Sequence, residues 1–195
     1  MAATYFEPAR EVRALPVSNS QIVLYGVLAT VTMLFAAFAS AYMVRQGSGG
    51  WQPVALPGVL WLNTLLLAGS SATIELARRQ SRTVGGTDGL ANRARLDAAP
   101  TRWLIGSNLL AFAFLAGQLL SWQQLAAAGI YLPTNPHASF FYIMTGLHGL
   151  HLLGGLVLLA VAWITRRETT MSCAATYWHF LGLVWLGVLA LLKYA

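Results

Sequence analysis

Five long apolar runs constrain this chain more than anything else in it: Gln21 to Val44, Gly58 to Ala77, Trp103 to Gln124, Ser139 to Ile164 and Ala174 to Leu192. A bilayer's hydrocarbon core is about 30 Å thick and a helix rises about 1.5 Å per residue, so about 20 apolar residues cross it once. The runs are apolar on all sides, whereas the strands of a membrane barrel alternate apolar and polar residues over stretches of about ten. The reading is therefore an all-α membrane protein, a bundle of five transmembrane helices forming one membrane domain over residues 1–195. Of its 195 residues 57% are hydrophobic and 9% charged, which excludes an ordinary soluble domain.

The cations give an orientation. Arg10 and Arg13 precede the first run, Arg78, Arg79, Arg82, Arg93, Arg95 and Arg102 lie in or beside the second connection, and Arg166 and Arg167 lie in the fourth. In a five-helix chain these regions share one side, while the other side holds Arg45 and Lys193. The positive-inside rule then puts the N-terminus in the cytoplasm and the C-terminus outside. Residues 1–20 become a cytoplasmic segment without the apolar centre of a cleavable signal, and 78–102 a cytoplasmic loop. A basic rim facing anionic lipid accounts for the net charge of +6 without nucleic acid. Within the loop, Gly85, Gly86 and Gly89 suggest a hinge before a short amphipathic helix from Leu90 to Leu96. Pro133 and Pro136 are expected to end the third helix. Cys173 has no second thiol to pair with and reads as structural.

Polar residues inside the runs are costly and must be received by something. His148 and His151 stand three apart on the fourth run, beside the small residues Thr145, Gly149, Gly154 and Gly155, and His179 stands near matching depth on the fifth. Haem ligands, a proton path and a packed polar interface compete to explain them. Two axial histidines would need facing helices with room between them, and bulky Tyr177 and Trp178 beside His179 look like filler for that space. No carboxylate or thiol stands near enough in sequence to complete a metal set. The expectation is a hydrogen-bonded seam of His148, His151 and His179 between the last two helices. His137 is expected in a solvated external loop. Glu75 is read as an interfacial partner of Arg78 or Arg79 rather than an intramembrane proton carrier. Asn63, Thr64, Ser70, Ser71 and Thr73, with Asn108, Gln118 and Gln123, are expected to bond across helices or to their own carbonyls.

The stretches FFYIMTGLHGLHLLGG (140–155) and TYWHFLGLVW (176–185) resemble the two most characteristic segments of subunit III of the haem-copper terminal oxidases. TMLFAAFASAY, WLNTLLLAGSSAT and FAFLAGQLLSWQQL are similar to further helices of that family, so the likeness covers nearly all of the chain after about residue 18. The resemblance implies the short, five-helix form of a chain in a bacterial inner membrane. It implies no catalytic residue, haem or copper in this chain, with haem and copper in partner subunits, direct packing on subunit I, and association with subunit II. It also implies phospholipid held in a helix cleft, and a role in sustaining proton uptake and turnover during dioxygen reduction. Arg78, Arg79 and Arg102 would then offer donors to lipid phosphate.

Three carboxylates common in that family are missing: Val31, Gly58 and Gly182 stand at their positions, and Glu75 matches none of them. Rival readings are a subunit III-like accessory protein of a nitric oxide reductase, a haem-binding electron carrier, and an independent transporter. The chain lacks the internal repeats and broken helices that a transporter of the inverted-repeat kind would carry. The electron donor, cytochrome c or quinol, docks on other subunits and leaves no mark in this sequence.

Overall fold

The computed structural model describes residues 18–83, 90–165 and 167–194, without side-chain detail between 81 and 101. The described residues form five helices: α1 (Asn19–Gln46), α2 (Val59–Thr83), α3 (Leu90–Ala127), α4 (Pro136–Thr165) and α5 (Glu168–Tyr194). Each contains a span long and apolar enough to cross a membrane. The proposed N-terminal segment, apart from its last residues, and the glycine hinge with Arg166 lie outside the described residues.

Local chemistry sets the helix ends. Ser18 caps α1 by a reciprocal box, its hydroxyl accepting from the Gln21 N–H at 3.4 Å while its own N–H donates to Gln21 Oε1 at 3.0 Å. The third helix stops earlier than the prolines would require. Gly129 takes a left-handed φ of 75°, its N–H donates to the Ala126 carbonyl at 3.0 Å, and the Ile130 N–H donates to that of Leu125 at 2.9 Å. This is a Schellman ending, which needs a residue free to adopt positive φ. Pro136 instead begins α4, with the Asn135 side chain capping the Ala138 N–H at 2.8 Å. Pro133 lies in the turn between the two helices. The expected short helix from Leu90 to Leu96 is the start of α3, continuous to Ala127.

Packing runs α2 on α3, α3 on α4, α4 on α5 and α5 back on α2, which closes a four-helix bundle. α1 stays outside the ring and rests on α4 and α5. Its buried residues, Leu24, Val31, Phe35 and Tyr42, fall on one narrow stripe, while Ile22, Val23, Met33 and Val44 are exposed. In a soluble protein such a surface would be a liability, but here it is the face a helix turns to lipid or to another membrane chain.

The α2–α3 seam is held by small and polar groups. The Ser70 and Ser107 hydroxyls meet at 2.9 Å, and Gly117 lies so close to Asn63 that the amide occupies the place a side chain would take. Across α4 and α5, Gly155 admits the Trp178 ring. Close backbone approach of this kind replaces the hydrophobic drive that helices lack inside lipid.

Candidate functional site

The histidines singled out by spacing do not meet. His148 is wholly buried in the four-helix bundle, with its ring 5.2 Å from that of Trp185 and 5.8 Å from that of Phe114. Neither of its nitrogens has a hydrogen-bond partner among the described residues. His151 turns toward α1: its ring lies 5.8 Å from Phe35, and Nδ1–H donates to the Leu147 carbonyl of its own helix at 2.7 Å. Tyr177 donates its hydroxyl to the His151 carbonyl at 3.3 Å. His179 faces α2, with Nε2 3.9 Å from Glu75 Oε2.

The hydrogen-bonded seam is therefore corrected: three imidazoles serve three different contacts. The reason is angular. Residues three apart on a helix diverge by about 60°, enough to send His148 into the ring and His151 to the helix outside it. His151 on α4 and His179 on α5 likewise turn to different neighbours, Phe35 and Glu75. Among the described residues no three His, Cys, Asp or Glu side chains converge as a metal set would.

Because His148 packs as a flat ring without hydrogen bonds, His148→Phe should leave assembly and thermal stability within about 1 kcal/mol of the parent. His148→Ala should cost about 2–4 kcal/mol by opening a cavity. Melting curves of the two purified variants check this, and the idea fails if Phe is as damaging as Ala.

His137 corrects a second expectation. It is 2% exposed, in the first turn of α4 rather than in a solvated loop. The Val54 N–H donates to its Nδ1 at 3.3 Å, and its Nε2–H donates to the Leu192 carbonyl at 3.2 Å. These roles require the neutral tautomer protonated at Nε2. Asn135–Pro136, where a capping side chain precedes a proline in the first turn, is the start of the helix that carries it. Nothing local to it signals that the connection between α1 and α2 folds back over that turn.

The remaining candidates divide by partner. Glu75 pairs with Arg79 Nε at 3.1 Å and lies 3.8 Å from Arg78 Nε. Arg102 is exposed on α3. Thr64 donates to its own Leu60 carbonyl at 2.9 Å and accepts from the Trp185 indole at 3.0 Å, joining α2 to α5. Trp178 is fully buried against Gly155. Asn108 bonds back to the Leu104 carbonyl at 2.8 Å, whereas the buried amides of Asn63 and Gln118 have no hydrogen-bond partner among the described residues.

Two apolar grooves flank α1, one at each end. The first, about 1030 Å³, lies between the end of α1 and the start of α4, with Ala37, Ala41, Val44 and Phe140 in its walls and Arg45 at its rim. The second, about 640 Å³, lies between the start of α1 and the facing parts of α4 and α5, with Leu24, Val27, Leu158 and Tyr177 in its walls. Apolar walls with a few polar groups at one end suit a chain-bearing amphiphile.

Five spans, with the first resting outside a ring of the other four, make up the architecture. The sequence profile described as Cytochrome c oxidase subunit III matches residues 19–194. The chain belongs to the cytochrome c oxidase subunit III family. It is 30% identical over 176 residues to a protein named probable cytochrome c oxidase subunit 3 of Nocardia farcinica, covering 84% of this chain and 81% of the relative. It is 32% identical over 191 residues to cytochrome c oxidase subunit 3 of Synechocystis, covering 88% and 74%. It is 32% identical over 174 residues to a cytochrome bo(3) ubiquinol oxidase subunit 3 of Pseudomonas aeruginosa, covering 83% and 78%. This subunit III is thus a multi-pass membrane component of a terminal oxidase that associates with other oxidase subunits. Its relatives include subunits named for both cytochrome c and quinol oxidases, so the family does not fix the electron donor.

Of the positions singled out by the resemblance, Val31 is buried on the stripe of α1, Gly58 turns the chain into α2, and Gly182 lines a groove between α2 and α5 beside Ser71.

Proposed function

We propose that this chain is the non-catalytic third subunit of a proton-pumping bacterial oxidase reducing dioxygen to water, with its N-terminus in the cytoplasm of the inner-membrane topology. In this reading it carries no redox centre. It packs on subunit I, which holds haem and copper, associates with subunit II, and keeps the enzyme from inactivating during turnover. Phospholipid chains occupy the two grooves beside α1, and Arg78, Arg79 and Arg102 meet headgroup phosphates on the cytoplasmic side. The residues 1–195 act as one membrane domain. The observation that carries the reading is the match along residues 19–194 to a family whose named members are oxidase third subunits. The grooves support its lipid part, because both have apolar walls and stand beside a helix that only one stripe holds to the bundle.

Removing the chain from the oxidase tests it. The depleted enzyme should keep its haem absorption spectrum and its initial rate of oxygen consumption within a few-fold, then lose activity over successive turnovers much sooner than the intact complex. An equal lifetime for both preparations contradicts the protective role, and loss of the spectrum on depletion would show that this chain holds the redox centre itself. Glu75→Gln should leave the rate and the turnover lifetime unchanged, and its cost in stability should be about 0–1 kcal/mol, as for other solvent-reaching pairs. A faster inactivation in that variant, measured on the oxygen electrode, would give Glu75 a proton role.

A further inference from the structure

A separate pocket of about 370 Å³, divided from the first groove by Tyr42 and Phe140, lies beside the connection between α1 and α2 and against the ends of α4 and α5. His137 builds its rear wall, tying Val54 of the connection to Leu192 of α5 with both ring nitrogens, so it contributes shape and no free polar atom. Tyr42 lines the pocket, is 0% exposed, and stacks edge-on with Trp51 at 4.8 Å. Its buried hydroxyl has no hydrogen-bond partner among the described residues, and a buried hydroxyl in that state favours an acceptor placed beside it.

Lys193 closes the other side. Its Nζ stands 4.4 Å from the centre of the Trp61 ring and 5.1 Å from that of Tyr194, contacts that hold a cation without neutralising it. The described carboxylates, Glu75 and Glu168, belong to the opposite ends of α2 and α5. Trp51, Leu56, Leu60 and Leu189 supply the apolar remainder of the lining.

We propose that this pocket binds a small anionic group, phosphate or carboxylate, carried on a short apolar body, with Lys193 as counter-ion and the Tyr42 hydroxyl as donor. A cation would be repelled by Lys193, and the described lining offers no carboxylate for a divalent metal. A bare hydrocarbon chain would leave both the ammonium and the hydroxyl unmatched. The anion is either the phosphate of a lipid headgroup reaching in from the rim or a free anion from solution.

The test uses the complete oxidase complex in nanodiscs of phosphatidylcholine, with dihexanoyl phosphatidic acid and inorganic phosphate as probes. Lys193 is the chain's one lysine, so its acetylation by a water-soluble reagent, read by mass spectrometry, reports this site alone within the subunit. Saturable slowing of acetylation by phosphatidic acid but not by phosphate assigns a lipid headgroup. Slowing by both assigns a free anion. In calorimetric titration Lys193→Met should weaken binding about tenfold or more, and Tyr42→Phe several-fold, as expected for hydrogen bonds to a charged group. If neither probe protects Lys193, the proposal is overturned even where a variant complex fails to assemble. Equal affinity of both variants and the parent would overturn it as well.

Discussion

Adding one methyl group at position 117 should destabilise the bundle by about 1–3 kcal/mol, the cost of overpacking a close-fitted interior. An alanine Cβ there would overlap Asn63 Oδ1 and stand 3.0 Å from its Cγ, inside any permitted contact. Asn63 is 0% exposed, so its amide has no solvent to swing into, and the helices must part along the seam that Ser70 and Ser107 close. The variant series makes the claim specific. Gly26→Ala, where nothing lies within 4 Å, should be neutral or slightly stabilising because alanine favours helix. Gly155→Ala, whose Cβ would meet the Trp178 ring at 3.1 Å, should fall between the two. Asn63→Ala should be mild alone, since that amide has no hydrogen bond among the described residues to lose. Combined with Gly117→Ala it should recover much of the loss, giving a coupling of about 1–2 kcal/mol in a double-mutant cycle read from melting temperatures. Additive losses would mean that the contact with Asn63 is not what makes position 117 intolerant.

The second large effect is expected at Trp185, whose replacement by Ala should cost about 3–5 kcal/mol. The ring is 1% exposed, lies 4.9 Å from Phe114 on α3 and 5.2 Å from His148 on α4, and its indole N–H donates to Thr64 on α2. A single side chain of α5 therefore touches every other helix of the ring. Trp185→Phe keeps most of the packing and loses the hydrogen bond, for about 1–2 kcal/mol. Thr64→Ser, which keeps the hydroxyl, should cost less than Trp185→Phe. Chemical denaturation in mild detergent, followed by helix circular dichroism, separates these variants. Similar midpoints for Ala and Phe would show that the hydrogen bond outweighs the packing.

The helices were legible because crossing a bilayer demands long unbroken apolar runs, and nothing else in a chain of this kind produces them. The pairing of Glu75 with Arg78 and Arg79 was legible too, being local to one helix face. What spacing could not give was the third dimension. His148 and His151 look like a pair along the chain, yet their fates depend on which helices flank α4, and that is fixed by α1 standing outside the ring. Gly129 carried a readable signal, a glycine just after an apolar run, that the two nearby prolines obscured. The pocket of Tyr42 and Lys193 left no local trace, because its walls come from α1, α2, α4, α5 and a connection. Lys193 entered the sequence argument only as one charge in an orientation count.

The position of α1 also bears on how the protein is made. Apart from Trp51, which stacks on Tyr42, its aromatic contacts lie in segments synthesised much later: Tyr42 packs on Phe140, and Phe35 on His151. At a ribosomal pace of about 5–20 residues per second, α1 must wait roughly 5–20 s for them. It touches α2 and α3 marginally at most, so among the described helices its packing partners are α4 and α5. The most apolar of the five spans, the one best suited to stand against lipid, is thus the one whose helix partners come latest in the chain.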